Sequence, residues 1–368
     1  MKKKEMTRRD FLKISGMVGI AAVSIGLLDT CQPWVDLPTG AVNSKPNKSK
    51  EMSMLEQKKE LIQMASLAAS GHNAQPWKFE ITERGITILP DLSRRLPVVD
   101  PDDRELWISL GCALENLVVA ARAAGLNTEV TYPDISEKIN IDLKDAETEQ
   151  DELFNALALR QNTRSMYDGN TVQSAELDKL MALPVIDGIF VDFFNESDEI
   201  TTLSEFIRQS TIKQYSDPLF INELIHWLRF NKKEALSMDG LYTRCSGNPE
   251  VPRFIGQLFI SGIKPEKQAE EDIQKLVSSA GAVMISTETD SRSEWVKTGR
   301  IYERLVLQMT ALNIQSALLN QPIEVPEIRG EMTESLHLKG ARPQMLVRFG
   351  HAQLMPGSLR RPVGQILI

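Results

Sequence analysis

The spacing of apolar residues changes period several times along this chain. Leu55, Leu61, Ile62, Ala65 and the pair Leu67-Ala68 recur at near-helical intervals. That spacing predicts a helix running into Ala69 and stopping at Ser70-Gly71. The next stretch, WKFEITERGITILP, reads as strand, turn, strand, with Glu83-Arg84-Gly85 as the turn. Asp103 to Leu126 returns to the helical period and closes on Gly125, the usual C-terminal residue. TEVTY and KINIDL follow as short strands. Helical segments are expected near 150–160 and 174–183, then the strand IFVDFF and three more helices to about residue 232. GAVMISTE reads as a buried strand, about 293–319 as a second long helix, and QMLVRFG as a late strand. Helices and strands are intermixed, which makes the fold class α+β.

The two long helices echo one another. LGCALENLVVAARAAGL and TGRIYERLVLQMTALNI align without gaps, so that Gly111 matches Gly299, Glu115 matches Glu303, Leu117-Val118 matches Leu305-Val306 and Leu126 matches Ile314. Two amphipathic helices share apolar spacing by chance quite often. A glycine at the same point of both favours a duplication, with two related lobes packed as a pseudo-dimer.

The 368 residues hold 42% apolar and 25% charged side chains, the balance of a globular protein with a sizeable core. The net charge of −8 offers no basic face for phosphate backbones, so a nucleic-acid partner is not expected. Cys31, Cys112 and Cys245 stand far apart and the four histidines have no zinc-ligand spacing, so no metal is expected. There is no G-x-G-x-x-G, P-loop, G-x-S-x-G or H-E-x-x-H.

The N-terminus reads as an address. A basic start leads into an apolar run from Ile14 to Leu28, shorter than the roughly 20 residues of a spanning helix. Thr7-Arg8-Arg9-Asp10-Phe11-Leu12-Lys13 resembles the twin-arginine export signal. That resemblance implies passage through the twin-arginine machinery, folded and often with cofactor already loaded. The destination would be the periplasm or the outer face of the membrane. Cys31 is a candidate for lipid attachment, although Asp29 is an awkward neighbour for one. Residues 1–31 are thus taken as the signal segment, and the Pro/Ser/Asn/Lys-rich 32–50 as a flexible tether.

Three polar loops carry candidate chemistry. In ASGHNAQPWKF, at 69–79, Ser70, Asn73 and Gln75 gather a hydroxyl and two carboxamides near a helix end. Carboxamides donate and accept, which suits a heterocycle edge of alternating carbonyl and N–H groups, such as a flavin pyrimidine. An Asn-capped turn anchored by a buried Trp77 explains the same residues equally well. In RQNTRSMY, Arg160 and Arg164 stand four apart with Asn162 and Thr163 between them, a pattern able to hold a phosphate dianion. A solvated arginine pair is the commoner use of that spacing. In SLRRPVGQIL, Arg360-Arg361 precede a proline near the C-terminus.

Together these loops resemble the nitroreductase family. Ala69–Phe79 is similar to its P-S-x-x-N-x-Q-P-W loop, with Ala69 replacing Pro. Arg160–Arg164 is similar to its R-x-S-x-R, with Asn162 at the Ser position. QPIE at 321–324 resembles its P-I-E loop and RRPVGQIL its C-terminal R-R-P segment. Here the Asn-Gln-Pro-Trp loop precedes the Arg motif, an order resembling the fused, Acg-like branch, in which one chain imitates the usual homodimer. ELIHWLRF (223–230) and MDGL (238–241) also resemble that branch.

The resemblance implies lobes at about 51–148 and 149–368, a lid at about 217–250, and one FMN site per monomeric chain. Ser70, Gly71, Asn73 and Gln75 would meet the cofactor from the first lobe, and Arg160, Asn162, Arg164 and Arg360 from the second. Gln321, Pro322 and Glu324 would lie near the ring's reactive edge. The implied activity is reduction of an electron-poor small molecule such as a nitro compound, quinone or conjugated carbonyl. The alternative is a protein that sequesters flavin with little turnover. No general acid or base is assigned. His72 is expected to cap a turn or face solvent, Glu115 and Glu303 to be structural charges, and Cys112 to be a small buried residue.

Overall fold

The computed structural model describes residues 53–133, 137–336, Leu338 and 341–368. The expected export signal, Cys31 and the tether lie outside the described residues.

Helix α1 (Met54–Ala65) starts on a capping box, in which Ser53 and Glu56 satisfy each other's backbone N–H groups. It ends at Ser66, four residues before the expected stop. The carbonyls of Leu67 and Ala68 are thereby left outside the helix and available to other donors. Strands β1 (Trp77–Ile81) and β2 (Gly85–Pro90) form the expected hairpin. Helix α2 (Arg104–Ala123) follows, then β3 (Leu126–Thr131) and β4 (Ile139–Asp145). The first sheet has the order β1-β2-β4-β3.

The chain continues through α3 (Glu152–Ala156), α4 (Ser174–Met181) and β5 (Ile189–Phe194). A long excursion follows: α5 (Ser197–Ser216), α6 (Pro218–Trp227), β6 (Leu228–Arg229), α7 (Lys232–Ala235), β7 (Leu241–Tyr242), α8 (Arg253–Ser261) and α9 (Pro265–Val277). Helices α8 and α9 lie where no element is expected. Strand β8 (Gly281–Thr287), helix α10 (Arg292–Ala311), strand β9 (Gln315–Leu318), short helices α11 (Gln321–Glu324) and α12 (Pro326–Ser335), strand β10 (Arg342–Gly350) and helix α13 (Val363–Ile366) complete it. The second sheet is β5-β8-β10-β9.

The two sheets have the same plan. Substituting β5, β8, β10 and β9 for β1, β2, β4 and β3 converts one order into the other, and every pairing in both is antiparallel. Residues 195–280 are then an insertion into the hairpin of the second lobe. The α+β class and the two related lobes expected from the sequence are what is observed. The second long helix is shorter than expected, because Asn313 turns left-handed (φ 57°) and residues 315–318 pair with β10 instead.

Helix α2 is buried along almost its whole length, which explains why it is apolar on all sides. It crosses α10 at the two matched glycines. A Cβ on Gly111 would stand 2.1 Å from the Val296 carbonyl oxygen, and one on Gly299 would stand 1.9 Å from that of Ile108. Backbone touches backbone here, and only glycine allows it. The contacts are reciprocal, as at a two-fold axis: Gly111 meets Val296 and Gly299, while Gly299 meets Ile108 and Gly111. The C-terminal residues then return to the first sheet, where Ile368 N donates to Phe79 O at 2.9 Å.

Candidate functional site

The end of α1, the turn after it, the segment following α3 and the C-terminal tail converge on a cavity of about 140 Å³. Ser70, Asn73, Arg160, Asn162, Arg164 and Arg360 all line it, so the three loops singled out in the sequence meet in space. Leu67, Gln161, Leu241, Cys245 and Gly357-Ser358 join them, and no Asp or Glu does.

Each arginine is held differently. Arg160 donates from Nη2 to Leu67 O (3.0 Å), and its Nε lies 3.0 Å from Glu303 Oε1 as an ion pair off the hydrogen-bond axis. Arg360 donates from Nη2 to Leu67 O and Ala68 O, both at 3.2 Å, and its buried Nε has no partner. Both guanidiniums thus rest on the carbonyls freed where α1 ends, a position that favours cations. Arg164 has no hydrogen-bond or ion-pair partner among the described residues. Burial, helped by the Arg160 charge, pulls its proton affinity below the ordinary arginine value. The same causes bring Arg360 down to about 9, against the pull of Glu303.

Glu303 is the counter-charge. It is fully buried on α10, its Oε2 accepts from Ala69 N at 3.3 Å, and burial raises its pKa while Arg160 opposes the rise. Three guanidiniums therefore face one carboxylate in a largely enclosed space.

The turn carrying Ser70 and Asn73 is strained. His72, Asn73 and Gln75 all have positive φ, at 49°, 52° and 54°, a conformation costly for residues with side chains. Ser70 Oγ accepts from Gln75 N at 3.0 Å. The Asn73 amide donates to Gly240 O (3.0 Å) and Leu359 O (3.2 Å), and its Oδ1 is buried without a partner. An orphaned buried acceptor beside a cavity invites a donor from a ligand. His72 lies within the turn and is half-buried, and burial with the Arg164 charge takes its pKa to about 4.

Other candidates lie elsewhere. Gln75 is fully buried and saturated by protein groups: its Nε2 donates to Met238 O (2.7 Å) and its Oε1 accepts from Arg361 N (2.8 Å). Gly71 faces Leu96 and Glu105 rather than the cavity. Gln321, Pro322 and Glu324, on α11, also fall outside its lining. Gln321 donates to Asp272 (3.2 Å), and Glu324 accepts from Gln214 (2.6 Å). Burial and the Glu105 charge push Glu324 up to about 8. Glu105 accepts from Asn320, which precedes α11, at 2.6 Å, so this acidic cluster lies behind the Gly71 face of the loop.

The 217–250 segment packs against the loop. Phe220 and Trp227 form a cluster with Ala74, Leu96 and Val99, Gly240 N donates to Asn73 O (3.2 Å), and Asp239 pairs with Arg94 and Arg229. Glu303 and Cys245 were not foreseen at the site. The helix echo with Glu115 could have marked Glu303, whereas Cys245 arrives with the insertion and had no signal.

No protein-family model matches the chain. A Mycobacterium tuberculosis H37Rv protein provisionally named an NAD(P)H nitroreductase is 24% identical over 320 residues, 83% of this chain and 90% of its own. The Acg protein of the same strain, with the same provisional name, is 25% identical over 327 residues, 84% of this chain and 94% of its own. The similarity is to nitroreductases. A solved Bacteroides fragilis nitroreductase with bound FMN superposes with a TM-score of 0.34 and 15% identity, covering 57% of this chain and 96% of that one.

Proposed function

We propose that this chain is an FMN-dependent oxidoreductase that reduces electron-poor small molecules, and that the arginine-lined cavity takes the phosphate end of the cofactor. One observation carries the reading: Arg160, Arg164 and Arg360 converge on a space with no acid in its lining. A phosphate dianion would satisfy the unpartnered Arg164 and the orphaned Arg360 Nε by charge-assisted bonds. The relatives' names and the sequence motifs support the same class.

When bound, FMN supplies the electron transfer. The chain's own residues bind, orient and exclude water. Arg160, Arg164 and Arg360 hold the phosphate, Asn162 adds a neutral contact, and Ser70 and Asn73 meet the cofactor from the first lobe. The Asn73 Oδ1 acceptor suits a ring N–H. Gly71, Gln75 and the α11 residues act through the loop they shape. The lobes are taken as about 51–148 and 149–368, with one site between them. The cavity is smaller than the roughly 300 Å³ or more of whole-ligand pockets, so seating the ring requires the 217–250 lid to yield. Export by the twin-arginine route, location outside the cytoplasm and membrane attachment through Cys31 rest on the N-terminal motif.

A second reading is favoured by the lid. Its docking on the loop by Gly240, Asp239 and Trp227 suits a protein that holds flavin and restricts access to it. Purified protein should be yellow and release FMN on denaturation. Bound flavin that is photoreduced and then reoxidised by nitro or quinone acceptors supports the enzyme. Flavin that no acceptor reoxidises supports sequestration, and a colourless protein that binds no added FMN refutes both.

A further inference from the structure

Arg348, on β10, is among the most buried side chains in the molecule, at 1% exposure, and has no carboxylate partner among the described residues. A buried cation is costly unless its surroundings compensate it. Here the compensation comes from carbonyls and a ring. Nη2 donates to Thr163 O (3.2 Å) and Ser165 O (2.8 Å), and Nη1 to Lys275 O (3.1 Å) and weakly to Ser279 Oγ (3.4 Å). The guanidinium lies 3.9 Å from the centre of the Tyr167 ring, a cation–π contact, and Tyr167 Oη itself donates to Thr163 O at 3.0 Å.

The two carbonyls clasped by Nη2 stand on either side of Arg164. Holding them fixes the 163–164 and 165–166 peptide planes, which bracket the one cavity arginine whose side chain has no partner among the described residues. On the opposite side, Thr163 N donates to Ser316 O (2.9 Å), so the segment is pinned between β9 and the Arg348 fork. A lysine would lack the second arm of this rigid planar fork, which ties the carbonyls of Thr163 and Ser165 on Nη2 to that of Lys275 on Nη1.

We infer that Arg348 is a positioning residue whose fork aims Arg164 into the cavity and so sets the preference for a phosphate-bearing flavin. The inference rests on the cavity being the phosphate end of an FMN site. It also predicts a pattern that a merely structural residue would not give. Riboflavin has the same ring and ribityl chain without the phosphate, so a defect transmitted through Arg164 falls on FMN alone.

Flavin-free full-length protein is titrated with FMN and with riboflavin by flavin fluorescence, for wild type, Arg348→Met, Arg348→Lys, Arg164→Met and the double variant Arg164→Met/Arg348→Met. Wild type should prefer FMN. Arg348→Met should weaken FMN at least tenfold and riboflavin less than twofold, with Arg348→Lys showing the same split more mildly. The double variant should bind FMN no more weakly than Arg164→Met alone, since the strut then has nothing to aim. If Arg348→Met fails to fold, the Arg348→Lys split decides. Equal losses for both flavins, an unchanged FMN preference or additive effects in the double variant would overturn the inference. A wild type with no FMN preference would overturn the phosphate reading itself.

Discussion

Arg164→Met should make the flavin-free protein more stable while making it a poorer FMN binder. The Arg164 guanidinium has no partner among the described residues and shares the cavity with Arg160 and Arg360 against the single carboxylate of Glu303. Removing an uncompensated cation of this kind is worth about 1–2 kcal/mol, at the low end of the range because the head is partly open to the cavity. For a chain of this size that is a rise of roughly 1–3 °C in melting temperature. The loss on the other side is larger. A charge-assisted bond to phosphate contributes about 1.5–3 kcal/mol, so FMN affinity should fall roughly 10- to 150-fold. Riboflavin affinity should hold. His72 gives an independent check, since Arg164 is the second cause of its low pKa: in the variant it should rise part-way from about 4, burial remaining. Thermal unfolding of stripped protein, flavin titration and NMR titration of the imidazole read the three effects. A flavin-free variant that melts lower than wild type and still retains FMN at full affinity would refute the argument.

Gly111→Ala and Gly299→Ala should each cost about 3 kcal/mol or more, because the new Cβ meets a carbonyl oxygen at 2.1 or 1.9 Å and the helices must part; urea unfolding measures it. Glu324 holds its proton to about pH 8 in the folded state, so folding is favoured at low pH and loses that contribution as pH rises from the ordinary carboxylate value through 8. Glu324→Gln should therefore match wild type near pH 4 and exceed it by about 4 kcal/mol near pH 8, and equal slopes of stability against pH would contradict this. Asp239→Asn removes the half-buried anion through which the 217–250 segment holds Arg94, and with it about 1–2 kcal/mol of lid docking. Proteolysis within 217–250 and exchange of bound flavin should both accelerate, and unchanged rates would remove the lid from the account.

Local periodicity made the first lobe legible. Its hairpin and its long helix lie within a few residues of expectation, because each buries one regular face. The echo at Gly111 and Gly299 was legible for a stronger reason: a backbone-to-backbone crossing admits no other residue, so the same physical demand wrote the same letter twice. The second lobe was harder to read. Its hairpin is interrupted by residues 195–280, and α8 presents an apolar surface outward, with Phe254 and Leu258 exposed, so its pattern does not point to a core. At the site, residue type was a good guide and role was not. Asn73 and Gln75 were paired as carboxamides for a ligand, yet Gln75 is consumed by Met238 and Arg361. Those partners lie more than 160 residues away in sequence, and no local rule could have supplied them.

The same two-fold relation sets two buried glutamates in matched places with different surroundings. Glu115 and Glu303 hold matched places one turn beyond the glycine crossing, and both are fully buried. Their surroundings then diverge. Glu303 meets Arg160 and the backbone of the loop at Ala69, so it ties the second lobe's arginine segment to the first lobe's turn and leaves Arg164 and Arg360 facing open space. Glu115 meets Arg300 and Arg304, both at 2.8 Å and both from α10 itself. Arg300 goes on to Tyr132 Oη (2.6 Å) and Arg304 to Pro184 O (2.8 Å), so the donors there are spent inside the protein. A buried carboxylate needs a cation in either lobe. Where the cation arrives from a separate segment, room remains beside it for an anionic ligand. At Glu115 the cations come from the facing core helix, and their other donors end on protein groups. The structural asymmetry of this pseudo-dimer thus follows from which element neutralises the matched glutamate.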